Sequence, residues 1–253
     1  MYKKRDPFFS ILIASLNAKN QLICCLASIQ QQDFDDYEIL ISDGGSTDGT
    51  TEYIKSAQLE HLSWYKSALD GGIYDALNIA IEHATGSWIL VLGSDDRLVD
   101  SETLGRAASY INNNSAVGIF YSNLFICNSK NIKIKKYPEI SRTANKCRNG
   151  PIFHHQSVFM ARHSIINAGG FSKKYHIHAD YDLMLTAYKK DGAIKIEDAF
   201  VVFNSQGFSS KLGRLFNSYF EIYAIRKSHG YSPTNIRIIA RYIKLFFQRI
   251  LFG

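Results

Sequence analysis

The residues best suited to chemistry in this chain are carboxylates placed just after apolar runs. The clearest is Leu90-Val-Leu-Gly-Ser-Asp-Asp96, in which an apolar stretch from Trp88 to Leu92 ends in a glycine and then two adjacent acids. A buried parallel strand reads as a continuous apolar run, and in open α/β sheets ligands bind beyond the carboxyl ends of such strands. Asp95 and Asp96 are therefore expected at the rim of a sheet. Neighbouring carboxylates repel each other, and both stay ionised only where a cation or solvent compensates. A hard divalent cation, Mg²⁺ or Mn²⁺, is held by one or two carboxylates together with the phosphates of a bound ligand. The plainer alternative is a solvated turn leading into a helix near Asp100.

The same reading selects Asp43 and Asp70, each followed by Gly-Gly, because paired glycines let a backbone approach a ligand closely. Asp180 and Asp182 sit at the start of a helical segment. Positions i and i+2 of a helix do not share a face, so only one of them should point into a cleft, and Tyr181 and Leu183 are expected to pack. His154 and His155 read as the start of a strand, where adjacent side chains point to opposite faces. That favours packing near a cleft over a shared metal, with one of them free to touch a ligand. His176 and His178 are expected at the surface, Trp64 and Trp88 in the core, and Ser46 or Asp48 as the cap of the helix that follows.

These residues need a scaffold, and the pattern around them supplies one. Phe8–Ser15, Tyr37–Ser42, Leu62–Tyr65 and Trp88–Leu92 read as strands, separated by helical repeats over Gln21–Gln31, Thr51–Ser56 and Ala76–Ala84. Such β-α-β alternation predicts an α/β, doubly wound, mostly parallel sheet with helices on both faces. Gly86 is expected to end the third helix in a left-handed conformation. A helix to about Ile111, a strand over Val117–Asn123, a hairpin over 124–137 with its turn at 128–131, and a basic loop over 138–153 follow. Then come a strand from His154 to Met160, a short helix to Gly169, a helix from about Asp180 to Tyr188, a strand over Ala193–Phe203 and helix from Lys211 onward.

The chain has 253 residues and is 46% apolar, enough for a core. Its four cysteines have no metal-ligand spacing and read as free thiols of a reducing compartment. No signal-peptide pattern and no run of 18 uncharged apolar residues is present, so a cytoplasmic protein without a membrane span is expected. Charge is divided: residues 1–130 carry a net −7 and residues 131–253 a net +13. The acidic half argues against nucleic acid, whose phosphates need cations, and no P-loop pattern appears.

Taken together, Ile13-Ala-Ser-Leu-Asn17, Asp43-Gly-Gly-Ser-Thr-Asp-Gly-Thr50, Asp70-Gly-Gly-Ile-Tyr-Asp-Ala-Leu-Asn78 and Ala84-Thr-Gly-Ser-Trp88 with Gly93-Ser-Asp-Asp96 resemble family 2 glycosyltransferases of the GT-A fold, notably those that build bacterial surface polysaccharides. His155-Gln156-Ser157, Gly170-Phe171 and Asp180-Tyr-Asp182 extend the resemblance to about residue 190. The resemblance implies an inverting enzyme that transfers a sugar from a nucleotide diphosphate, most readily UDP-hexose or UDP-N-acetylhexosamine. It implies that Ala14, Ser15, Asn17, Asp43 and Asp70 line the nucleotide pocket. Asp95 would lie near ribose or sugar, Asp96 would hold Mn²⁺ or Mg²⁺, and Asp180 would be the catalytic base with Asp182 as competitor. His155 is a further cleft candidate. The chain departs from the family in having Ser94 at the first place of the usual Asp-x-Asp and Ala179 where an acid often precedes the base. The Gln-x-x-Arg-Trp motif of processive synthases is absent, which points to one sugar per encounter. A sugar-nucleotide nucleotidyltransferase and a non-catalytic basic membrane-binding module are the competing readings.

The expected organisation is a catalytic domain over 1–207, with a nucleotide-sugar half to about 100 and an acceptor half beyond it, and a basic amphipathic tail over 208–253. Within Ile236–Phe252, cations fall between large apolar residues. Such a helix lies in an interface and is drawn to anionic lipid, which suits a lipid-linked saccharide acceptor at the inner face of the cytoplasmic membrane. Docking of the same helix on the core is the alternative.

Overall fold

The computed structural model describes residues 6–114, 117–127, 132–136, 154–204, 215–233 and 242. The basic loop, the hairpin turn and nearly all of the amphipathic stretch expected over 236–252 lie outside the described residues. Four parallel strands come first: β1 (Phe9–Ser15), β2 (Tyr37–Asp43), β3 (Leu62–Ser67) and β4 (Trp88–Gly93). They are joined by α1 (Lys19–Gln30), α2 (Thr50–Ser56) and α3 (Ile73–His83). The chain continues through β5 (Arg97–Leu98), α4 (Thr103–Asn112), β6 (Ile119–Cys127) and β7 (Ile132–Lys135). A 3₁₀ turn (His155–Ser157), β8 (Val158–Ala161), α5 (Arg162–Ala168), α6 (Ala179–Asp191), β9 (Ala193–Asn204) and α7 (Leu215–Ser228) complete it.

The sheet runs β3-β2-β1-β4-β8-β6-β9-β5, with β7 at the side of β6. The ladders β3-β2-β1-β4 and β6-β9 are parallel, and the shorter ladders of β8, β5 and β7 are antiparallel. Alternation along the strands separates two cores. Phe9, Ile11 and Ile13 of β1 pack with α1, α2 and α4 on one face. Leu12 of β1, Leu40 and Val91 pack with α3, α5, α6 and α7 on the other. Successive side chains of a strand point to opposite faces, so near-continuous apolar strands are what a sheet covered on both sides requires.

Two local expectations are corrected. Gly86 does not adopt a left-handed conformation; α3 ends at Ala84 in an extended conformation. Gly86 is required for space instead: a Cβ there would lie 2.6 Å from the Ser10 backbone nitrogen and 2.7 Å from the Phe9 carbonyl carbon. His155 does not begin a strand either. The Ser157 amide and hydroxyl both donate to the His154 carbonyl, at 3.0 and 2.9 Å, and wind the chain into a turn before β8.

Candidate active site

The order in which the parallel strands are added reverses at β1: β2 and β3 lie on one side, β4 on the other. Ligands of open α/β sheets bind outside such a switch point. Register places the candidates there. Ser15 pairs with Asp43, Asp43 with Ser67, and Ala14 with Gly93, so the last residues of β1, β2, β3 and β4 form one edge.

The loops beyond that edge are tied to each other. Asp43 is buried and accepts hydrogen bonds from the amides of Gly45 and Ser46 and the hydroxyls of Ser46 and Ser67. Asn17 holds a left-handed conformation (φ 49°), which asparagine tolerates; its amide donates to Ser46 Oγ and its Oδ1 accepts the Thr47 amide. Gly44 Cα faces Asp70: a Cβ there would lie 3.1 Å from Asp70 Oδ2. Asp70 also accepts the Gly72 amide at 2.8 Å. Ser15 Oγ is buried and has no hydrogen-bond partner among the described residues. Asp48 accepts the amides of both Lys19 and Thr50, so one carboxylate caps α1 and α2 together, whereas Ser46 serves the loop rather than the helix.

Asp95 and Asp96 converge above Gly93, where a Cβ would lie 2.9 Å from Asp95 Oδ1 and 2.8 Å from Asp96 Oδ2. Asp96 is 1% exposed, with the amides of Gly93 and Asn204 on its two oxygens. Burial, added to by the Asp95 charge and opposed by those amides, pushes Asp96 up to about 7. Burial raises Asp95 as well. Each Asp96 oxygen keeps a lone pair beyond its amide. Two converging carboxylates in a buried site suit a hard cation that draws its other ligands from phosphate and water. Among the described residues no group of three or more His, Cys, Asp or Glu side chains surrounds a single point, so a cation here would depend on such outside ligands.

The antiparallel β4–β8 pair, with Leu90 opposite Phe159, carries the preceding 3₁₀ turn to the same end of β4. There His155 Nδ1 lies 2.9 Å from Asp180 Oδ2. Tyr74, on α3, donates its hydroxyl to Asp180 Oδ1 at 3.1 Å and to the Ile177 carbonyl at 2.8 Å. Burial acts to raise Asp180, but the hydrogen bond and charge of His155, with smaller help from His178 and the Tyr181 amide, outweigh it and hold Asp180 at about 2. Burial and the Asp180 charge push the Tyr74 hydroxyl well above its ordinary value, so it stays a donor. The His155 charge also acts, more weakly, on Asp96.

Asp182 is not part of this cluster. It lies on another face of α6, 2.8 Å from His229 Nε2. Tyr181 and Leu183 are buried packing residues. His154 stacks on Phe203, His176 is exposed, and His178 Nε2 meets Ser218 Oγ at 2.7 Å. Tyr74 carries no signal of its own in the sequence beyond lying in the Asp70–Asn78 stretch.

The profile described as Glycosyl transferase family 2 matches residues 10–170. The chain belongs to that family. It is 33% identical over 190 residues to a "PGL/p-HBAD biosynthesis glycosyltransferase" of Mycobacterium bovis, across 74% of this chain and 72% of the relative. In fold it is similar to S. aureus TarS residues 1–349 in complex with UDP-GlcNAc (TM-score 0.71, 18% identity, 95% of this chain, 72% of that one). It is also similar to the mannosyltransferase PcManGT of Pyrobaculum calidifontis in complex with GDP-Man and Mn²⁺ (TM-score 0.66, 18% identity, 98% and 74%). The protein is thus a family 2 glycosyltransferase of glycan biosynthesis with a GT-A-like fold. Among the described residues no helix is long and apolar enough to cross a membrane.

Proposed function

We propose that the protein transfers one hexose or N-acetylhexosamine from a UDP-sugar to a lipid-linked saccharide, with inversion at the anomeric carbon. The observation that carries this reading is the meeting of two differently tuned acidic groups at the switch point: Asp95 with Asp96 at the end of β4, and Asp180 with His155 across from them. Base and ribose rest against Ala14, Ser15, Asn17, Asp43 and Asp70, and the buried, unpartnered Ser15 hydroxyl is free to bond a ligand there. Asp96, with Asp95 beside it, holds Mg²⁺ or Mn²⁺. When bound, the cation supplies Lewis-acid stabilisation of the leaving diphosphate. Asp180, ionised at neutral pH, takes the proton of the attacking acceptor hydroxyl, a step of the kind that contributes about 10²–10⁴-fold to rate. His155 and Tyr74 fix the carboxylate for that task. The complexes of TarS with UDP-GlcNAc and of PcManGT with GDP-Man and Mn²⁺ support a nucleotide-sugar donor and a divalent cation beside it.

The basic C-terminal segment brings the enzyme to an anionic membrane surface on the cytoplasmic side, where a lipid-linked acceptor is displayed. If a chain lacking 233–253 bound anionic vesicles as well as the full chain, that part of the reading would be wrong.

The test of the donor site is thermal unfolding with UDP, GDP, dTDP and CMP, each with Mn²⁺, Mg²⁺ or chelator. A ligand at about 100 times its Kd adds about 2.7 kcal/mol to stability. Metal-dependent stabilisation by UDP, lost in Asp96→Ala, is expected. No shift with any nucleotide, with or without anionic vesicles, would sink the proposed donor class.

A further inference from the structure

We propose that Glu221, on α7, is a positioning residue for Asp180: it grips the backbone just ahead of α6 and so sets where the base stands. The inference rests on Asp180 being that base.

Glu221 Oε1 accepts the His176 amide, and its Oε2 accepts the amides of Ile177 and His178, all three at 2.9 Å. These are consecutive residues, and α6 begins at the next one, Ala179, with Asp180 in its first turn. His178 occupies the N-cap position and makes no side-chain cap bond. The amides at a helix start lack intrahelical acceptors, and a carboxylate placed there also meets the positive end of the helix dipole. Here the carboxylate comes from a different helix, so the start of α6 is fixed to α7 rather than to its own sequence.

The grip is reinforced from two sides. Ser218, one turn earlier on α7, meets His178 Nε2 at 2.7 Å and Tyr242 Oη at 2.6 Å. Tyr74 Oη bonds both the Ile177 carbonyl and Asp180 Oδ1. The backbone that Glu221 holds is therefore the backbone from which the Asp180–Tyr74–His155 cluster is hung. Glu221 is the only acidic residue between positions 200 and 253, against eight Lys and Arg. In a segment this basic a carboxylate has many cations within reach of its sequence neighbourhood, yet this one sits on three amides.

The test uses the full chain with Glu221→Ala and Glu221→Gln. The glutamine keeps the shape, loses the charge and turns one acceptor into a donor. With the UDP-sugar that wild type uses, kcat is expected to fall about 100-fold in Glu221→Ala, the loss that roughly 1 Å of misplacement brings. Glu221→Gln should be intermediate. Donor KM and UDP-induced stabilisation should stay within about threefold in free ligand affinity, because neither touches the β1–β4 edge. Two readouts do not need turnover. Amide exchange at 176–178 should speed up, and the carboxyl titration of Asp180, followed by carbon-13 NMR, should move to higher pH as its contacts with His155 and Tyr74 loosen.

Loss of kcat in step with lost donor affinity or lost folded protein would make Glu221 merely structural and overturn the proposal. So would unchanged kcat, or unchanged exchange and titration in Glu221→Gln. If Glu221→Ala fails to fold, the glutamine variant decides. If wild type transfers no sugar while exchange and titration respond as stated, the positioning stands and the assignment of Asp180 as base is what fails.

Discussion

The pair His155–Asp180 makes a prediction that can be worked through numerically. The Asp180 carboxyl shifts from an ordinary value of 3.8 to about 2 in the folded chain. Each pKa unit is worth about 1.4 kcal/mol of differential interaction, so the shift corresponds to about 2 kcal/mol at neutral pH. The side chain is only 18% exposed, so solvent does little to screen this. The sign follows from the direction: a lowered pKa means that the stability is present above about 3.8 and is lost as pH falls through about 2. By linkage, about half of it survives at pH 3 and little at pH 2. The perturbation is a double-mutant cycle of His155→Ala and Asp180→Asn, which isolates the pair from the packing each residue contributes. The assay is urea unfolding of the four proteins at pH 6, 4 and 3. The coupling energy should reach about 2 kcal/mol or more at pH 6, because the pair also offsets the cost of burying the carboxylate, and should be smaller at pH 3 as Asp180 begins to protonate. A coupling below about 0.5 kcal/mol at pH 6, or one that does not change on acidification, would refute the claim that His155 tunes this carboxylate.

Other outcomes follow from the same geometry. Asp96 is raised to about 7 by burial beside Asp95; a raised pKa gives stability that is present below about 3.8 and lost as pH rises through 7. In chelator, the protein should therefore lose up to about 4 kcal/mol between pH 4 and pH 8 from this group, and Asp96→Asn should flatten that slope and be the more stable protein at pH 8. Equal slopes in urea titrations of both would contradict it. Gly86→Ala drives a methyl into the backbone of β1 and should cost about 3 kcal/mol. Gly105→Ala, in α4 with open space around it, should gain about 1 kcal/mol. Unfolding midpoints of the two variants in one denaturant series check both. Asp180→Asn should reduce kcat by about 10²–10⁴-fold while nucleotide-induced stabilisation is retained; loss of both together would move Asp180 from the chemistry to the donor pocket.

Strands β1, β2 and β4 are legible because each is buried on both faces and is apolar along most of its length; β3, part-exposed at the end of the sheet, carries a weaker pattern and is marked by the Asp70-Gly-Gly turn that follows it. The edge they form was legible for the same reason: chain order dictates that Asp43, Asp70 and Asp95–Asp96 emerge on one side. The second half of the sheet was not. Its order depends on β8 entering antiparallel between β4 and β6, a long-range pairing with no local signature. His155 illustrates the consequence. Read locally, it begins a strand; the Ser157 hydrogen bonds to His154 make a turn instead, an instance of a short polar side chain competing with ladder formation. Only the β4–β8 pairing then brings the imidazole to Asp180, 25 positions away. Gly86 departs from its local expectation for a similar reason, since the obstacle to a side chain there is β1 and not the local backbone conformation. Glu221 is invisible locally because its three acceptor bonds reach back more than 40 residues.

The two acidic groups at the centre of this fold are both withdrawn from water, yet they are driven in opposite directions. Asp96 has Asp95 beside it and rises to about 7; Asp180 has His155 beside it and falls to about 2. Desolvation disfavours the ion in both cases, so the difference lies in the neighbour. A site whose environments push paired carboxylates apart has divided their tasks. The carboxylate that resists ionisation gains most from a cation, which would reverse the effect of burial and of Asp95 at once. The carboxylate that is ionised at every working pH needs no such help and is available to receive a proton. His155 acts electrostatically on both, stabilising Asp180 directly and lowering Asp96 from a distance. Removing it should therefore raise the Asp180 pKa, leave that carboxylate less firmly held, and also make the Asp95–Asp96 pair harder to charge. A substitution at one histidine is expected to disturb two sites that share no hydrogen bond, and measuring nucleotide-with-Mn²⁺ binding in His155→Ala tests it: unchanged metal dependence would confine His155 to Asp180 alone.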